Sequence, residues 1–194
     1  EGLPTRPDAG IWWSLVEKYE VTVMFSAPTA VRVLKKQDPA FLSKYDLSSL
    51  RALFLAGEPL DETTAQWIAD GLGRPIIDNY WQTETGWPIL SLCNGIEKAH
   101  SKFGSPGKAV YGYDVKLIDE ITGEETKGAN QKGVVVIDGP LPPGCMTTVS
   151  GHDARFAQPY FTSLPGKMVY TPFDWGWRDK DGYYFILGRT DDVI

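Results

Sequence analysis

From Asp8 onward the hydrophobic positions follow two periods in turn. Ile11, Trp12, Leu15, Val16 and Tyr19 recur near helical spacing, which predicts an amphipathic helix with Asp8 placed to cap it. Residues 21–25 are β-branched and apolar and read as a buried strand. Ser26 and Pro28 signal a helix start, and Val31 and Leu34 give that helix its inner face. Asp46-Leu47-Ser48-Ser49-Leu50 is a short turn with capping chemistry. Leu53-Phe54-Leu55 then reads as a second buried strand entering Gly57-Glu58-Pro59. Asp61 caps a helix carrying Ala65, Trp67, Ile68 and Leu72, and Gly71 and Gly73 end it. Arg74-Pro75 leads into Ile76-Ile77, a third short strand. Strands alternating with helices in this way predict a parallel sheet.

After Gly86 the pattern changes. Gly104, Gly107, Gly112, Gly123, Gly128, Gly133 and Gly139 punctuate short runs. Residues 113–118 and 134–137 read as strands, with turn chemistry at Ile121-Thr122-Gly123-Glu124-Glu125. Leu141-Pro142-Pro143-Gly144 reads as a stiff loop leaving that sheet. Residues 177–187 alternate around Asp179-Lys180-Asp181-Gly182, a hairpin signal. The expected fold is therefore α/β in class. Residues 1–102 form a partial parallel βα sheet subdomain, and residues 103–187 a small antiparallel, β-barrel-like subdomain.

Composition narrows the function. The 194 residues are 42% apolar and 23% charged, which suits a globular chain with a sizeable core. No apolar run approaches eighteen residues, so a membrane partner is not expected. A net charge of −6 argues against a nucleic-acid partner, which calls for clustered Lys and Arg. Cys93 and Cys145 make neither a disulfide framework nor a metal cluster and read as reduced thiols of an intracellular chain. With His100 and His152 the only histidines, a His-rich metal site is excluded. Glu1 at the start and Ile194 after a charged turn suggest a piece cut from a longer protein. Unpaired sheet edges in such a piece would favour self-association.

The densest chemistry lies in Asp78-Asn79-Tyr80-Trp81-Gln82-Thr83-Glu84-Thr85-Gly86, directly after the third strand. Ligands of open α/β sheets bind beyond the carboxyl ends of the strands. A core strand would not spend so many positions on polar groups, each needing a buried partner. The Thr83 hydroxyl can donate to a phosphate oxygen. The Glu84 carboxylate can hold Mg²⁺, a hard cation that prefers oxygen.

Three ordered segments carry a resemblance. Tyr80 to Gly86 resembles the core motif of the adenylate-forming acyl-CoA synthetases, in particular their acetyl- and propionyl-CoA synthetase branch. Ala56-Gly57-Glu58-Pro59-Leu60 looks like the family's adenine-binding turn. Phe173-Asp174-Trp175-Gly176, residues 179–184 and Gly188-Arg189-Thr190-Asp191-Asp192 look like its ribose-binding segment and interdomain hinge. The resemblance implies a fragment of the family's large N-terminal domain, with residues 188–194 opening the hinge. It implies ATP, Mg²⁺ and coenzyme A as the small molecules used with a short-chain carboxylate. Activation would run through an acyl-adenylate, in the cytoplasm or, after loss of a targeting segment, the mitochondrial matrix.

Residue by residue, the resemblance assigns nucleotide contacts to Gly57, Glu58, Pro59, Asp78, Asn79, Tyr80, Trp81, Gln82, Thr83, Asp174 and Arg189. Thr83 and Glu84 become the catalytic pair, with Glu84 also the metal ligand. Asp174 becomes the clamp on the ribose hydroxyls and Asp191 the hinge. Trp81 would floor the acyl pocket. Ala56, where acetate-selective members carry a bulkier aliphatic, would leave room for one more methylene, so propionate is expected over acetate. Tyr80, often Trp in relatives, departs from the pattern. Asp78 bonding its own loop, Trp81 in a core and Arg189 in a surface ion pair stay open as plainer readings. The family's Ser/Thr/Gly-rich phosphate loop and its C-terminal lysine match nothing here, so the chain alone is expected to be inactive as a ligase. Rival functions are an adenylating enzyme for another acid or a carrier protein, a non-catalytic nucleotide binder, and a carbohydrate-binding or glycoside-cleaving module using the seven Trp and nine Tyr.

Overall fold

The structure is a computed structural model that describes residues 3–190. The chain divides into two compact units. One runs through Asn79 and takes in His100–Gly104; the other comprises Tyr80–Ala99 and the chain from Ser105 on. The chain thus leaves the first unit at the end of its third strand, ahead of the change of pattern near residue 103, and His100–Gly104 returns to it. Ser101 ties that return down by donating to the Ile76 carbonyl (3.1 Å).

The first unit holds α1 (Ile11–Tyr19), β1 (Val23–Ser26), α2 (Pro28–Lys35), α3 (Ala40–Ser43), β2 (Ala52–Ala56), α4 (Glu62–Leu72) and β3 (Ile76–Asn79). The three strands form a parallel sheet in the order β1-β2-β3, as the alternation of elements predicts. Val31, Leu34, Leu53, Leu55, Ala65 and Ile68 are buried together with Trp13 and Val16. Pro28 occupies the first turn of α2, where its missing N–H costs no hydrogen bond. Asp61 caps α4 by accepting from the Thr64 N–H (2.9 Å).

Three local expectations are corrected. Asp8 does not cap α1; Gly10 is the capping residue, and the Asp8 carboxylate accepts from the Gly10 N–H (2.7 Å), closing a turn one step earlier. Gly71 does not end α4 but lies inside it against Leu42, leaving the left-handed Gly73 as the stop. β1 is not a buried strand. It pairs with β2 alone among the described residues, and Val23 and Phe25 are 49% and 59% exposed. An apolar run reveals strand propensity but not how many neighbours the strand acquires.

The second unit holds β4 (Leu90–Ser91) paired with β5 (Lys108–Ala109), and a meander of β6 (Asp114–Ile118), β7 (Gly133–Asp138), β8 (Asp174–Arg178) and β9 (Tyr184–Arg189). All these pairings are antiparallel, and the β8–β9 hairpin turns at the predicted Asp179–Gly182 segment. The sheets stay open; no barrel closes among the described residues. One element was not foreseen: α5 (Asp153–Phe161), whose Phe156 is buried with Tyr170, Val135 and Ile137. Pro159, inside its last turn, masks the helical pattern. Cys93 and Cys145 are both free thiols, the latter buried.

Candidate active site

In the first unit the predicted adenine turn leaves the carboxyl end of β2. Gly57 holds φ at +98°, a conformation that favours glycine, and no atom lies within 4 Å of where a Cβ would project. The turn thus presents bare backbone. The Glu58 carboxylate is engaged by the protein itself: it accepts from the Thr29 N–H (2.7 Å) at the start of α2 and from Arg32 (2.9 Å). Arg32 also donates to Asp61 (2.9 Å) and to the Pro59 carbonyl (2.6 Å), so one guanidinium braces the turn from three sides. Hydrogen bonding to Thr29 and Arg32 holds the Glu58 carboxyl below its ordinary range. Ala56, the predicted acyl-pocket residue, is buried at the end of β2.

At the end of β3, Asp78 accepts from the N–H of its neighbour Asn79 (2.9 Å). Burial pushes its carboxyl up to about 7. Asn79 is buried, and its amide donates to the carbonyls of Leu55 and Ile77 (both 3.0 Å), fastening β2 to β3 at their ends. That amide nitrogen has no proton left for a ligand.

The rest of the predicted set lies in the second unit, where the structure brings two motifs together. Tyr80 pairs as a β-bridge with Leu90, and Thr83–Thr85 then form a single 3₁₀ turn ended by the left-handed Gly86. Trp81 is 41% exposed, so it is no core residue. Thr83 is exposed and Glu84 half-buried. The Tyr80 hydroxyl donates to Asp174, which is only 7% exposed. The amide of Gln82 donates to the Pro172 carbonyl (2.6 Å), and Arg189 donates to the same oxygen (3.0 Å) while its guanidinium lies 5.5 Å from the centre of the Phe173 ring. Phe173 adopts φ +64°, unusual for a bulky residue. Tyr80 is thus tied to Asp174, and Gln82 and Arg189 meet on the Pro172 carbonyl. Asp191 lies outside the described residues.

Sequence reasoning missed Tyr160 and Tyr170. Tyr160 donates to the Glu84 carboxylate (2.5 Å), and Tyr170 donates to the Gln82 side-chain oxygen (2.9 Å). The recurrence of Phe156, Tyr160 and Phe161 at helical spacing was the available signal. Among the described residues no group of three His, Cys, Asp or Glu side chains stands ready for a metal. That fits a nucleotide-borne Mg²⁺, which usually takes one or two carboxylates and completes its shell with phosphate oxygens and water. It fits no all-protein metal cage. No helix among the described residues is long and apolar enough to cross a membrane.

Comparison with known protein families gives the class of protein, that of the AMP-binding enzymes. The family model described as "AMP-binding enzyme" matches residues 2–148, and the chain belongs to that family. Over all 194 residues it is 61% identical to a protein of Salmonella typhimurium named "Propionate--CoA ligase". It is 38% identical to "Acetyl-coenzyme A synthetase 1" of Candida glabrata, and 36% identical to human "Acyl-CoA synthetase short-chain family member 3, mitochondrial", in each case over 198 aligned positions and the whole chain. The chain spans 31%, 27% and 28% of the length of these three relatives.

Proposed function

We propose that the full-length protein carrying this chain is an ATP-dependent ligase joining coenzyme A to short-chain carboxylic acids, propionate first and acetate second. A carboxylate oxygen attacks the α-phosphorus of ATP and releases pyrophosphate. The thiol sulfur of coenzyme A then attacks the acyl carbonyl and releases AMP. The observation that carries this reading is that the segment leading into the Thr83–Glu84 turn is tied to the predicted ribose segment, Tyr80 to Asp174 and Gln82 to the Pro172 carbonyl that Arg189 also reaches. The 61% identity to a protein named for propionate supports the choice of acid.

In this reading the Thr83 hydroxyl donates to a phosphate oxygen, and Glu84 is the carboxylate that would hold Mg²⁺, whose charge offsets that of the departing pyrophosphate. Asp174, which accepts from the Tyr80 hydroxyl, also accepts from the ribose hydroxyls. Arg189, held by the Pro172 carbonyl, donates to ribose or phosphate oxygens. Gly57 to Pro59 offers backbone to the flat face of adenine, with Asp78 accepting from the adenine amino group. Because Glu58 is tied to Thr29 and Arg32, its part is to set the shape of that turn. Ala56 and Trp81 bound the acyl chain. Such a consumer of ATP and coenzyme A works inside the cell.

The test is pyrophosphate exchange into ATP by the full-length protein, with acetate, propionate, butyrate and octanoate in parallel. Exchange should be strongest with propionate and lost in Glu84→Gln. Absence of exchange with every acid would refute the ligase reading, and a preference for octanoate would refute the acyl-pocket assignment.

A further inference from the structure

The 3₁₀ turn that presents Glu84 is only three residues long, too short to hold a side chain by its own hydrogen bonds. Its backbone is clamped from outside, by the Met146 N–H donating to the Glu84 carbonyl (2.6 Å). Among the described residues its carboxylate has one hydrogen-bond partner, the Tyr160 hydroxyl on Oε1. The Tyr160 ring lies nearly parallel to that of Tyr170 (4°, centroids 5.3 Å apart) and against Phe156 and Phe173 (5.5 and 5.6 Å). Tyr170 is 1% exposed and exchanges a pair of backbone hydrogen bonds with Ile137 of β7 (2.8 and 2.9 Å). The backbone of Tyr160 is fixed too, its carbonyl accepting from the Thr171 N–H (2.8 Å). The two stacked hydroxyls are therefore anchored on the sheet, and they reach Gln82 and Glu84, two positions apart on the turn.

We infer that Tyr160 is a positioning residue that aims the Glu84 carboxylate, occupying Oε1 so that Oε2 is offered to a nucleotide-bound divalent cation. The inference rests on the proposed role of Glu84. Partners that orient a metal-ligating carboxylate in this way commonly govern metal affinity by about 10–100-fold. Nothing in the sequence spacing links the two residues, which stand 76 positions apart.

The test uses the full-length enzyme and pyrophosphate exchange with propionate, titrating Mg²⁺ beyond the amount bound to ATP. Tyr160→Phe keeps the ring stack and loses only the hydroxyl. It should raise the Mg²⁺ concentration for half-maximal exchange about tenfold, with most activity recovered at saturating Mg²⁺. Tyr170→Phe removes the other hydroxyl of the same stack, which touches Gln82, and should leave that concentration unchanged. Mn²⁺ titration of the ATP complex by electron paramagnetic resonance reads the same shift without turnover. A uniform fall in rate with unchanged metal dependence in Tyr160→Phe, or an equal shift in both Tyr variants, would overturn the inference. The Glu84→Gln arm, read by the Mn²⁺ titration because that variant is expected to lose exchange, separates the two layers: if it leaves Mn²⁺ binding unchanged, the metal role of Glu84 fails and the inference falls with it. If Glu84→Gln shifts and Tyr160→Phe does not, the inference alone fails.

Discussion

Asp78 is a half-buried carboxyl that accepts from the N–H of the next residue. Burial without a counter-charge favours the neutral form and pushes the group up to about 7 from an ordinary 3.8. The folded state therefore binds a proton that the unfolded chain has already lost between those values. Stability from this group is fully present below about pH 4 and is lost as pH rises through about 7. At about 1.4 kcal/mol per pH unit the full span is about 4 kcal/mol, a ceiling because the side chain retains some contact with water. Asp78→Asn keeps an oxygen for the Asn79 N–H and never ionises. It should stabilise the chain by about 2–4 kcal/mol at pH 8 and by less than about 1 kcal/mol at pH 4.5. Urea unfolding followed by tryptophan fluorescence at the two pH values measures both differences. A variant less stable than the parent at pH 8, or a gap that does not change with pH, would refute the reasoning. The proposed role next to adenine fits such a group, since neutral or ionised it retains an acceptor for the amino group.

Two further outcomes are expected. Ala56→Val in the full-length enzyme should fill the space of about one methylene and lower the propionate-to-acetate ratio of kcat/KM by about 10–100-fold, measured by exchange with each acid; an unchanged ratio would remove Ala56 from the acyl pocket. Asp61→Ala removes the cap on Thr64 and the contact to Arg32 and should cost about 1–2 kcal/mol in urea unfolding at pH 7. The Asp61 carboxyl is held well below its ordinary range, chiefly by Arg32, so its contribution is present above about pH 4 and lost on acidification; the gap between parent and variant should narrow accordingly.

The parts of this chain that were legible in sequence are those written in local order. Leu53–Leu55 and Ile76–Ile77 are short apolar runs bounded by a glycine or a proline, and they became the β2 and β3 strands of a parallel sheet. The Asp61 cap and the Asp179–Gly182 turn were visible because their partners lie within four residues. The polar stretch after β3 stood out because no interior strand could satisfy it. What stayed hidden depends on pairs far apart: Tyr80 with Asp174 across 94 positions, Tyr170 with Gln82 across 88. Periodicity carries no information at such separations, and α5 was concealed further by Pro159. Local order also misled where a residue had two uses. Asp8 has the chemistry of a cap but closes the preceding turn, and Gly71 has the chemistry of a helix stop but makes room for Leu42. The resemblance named the groups proposed to face a ligand. The groups that hold them in place, Arg32 behind Glu58 and Tyr160 behind Glu84, emerged only from the fold. Those supports are side chains whose loss should change shape and metal affinity before it changes chemistry, which is why metal titration, rather than a single activity measurement, is the sharper probe of this cluster.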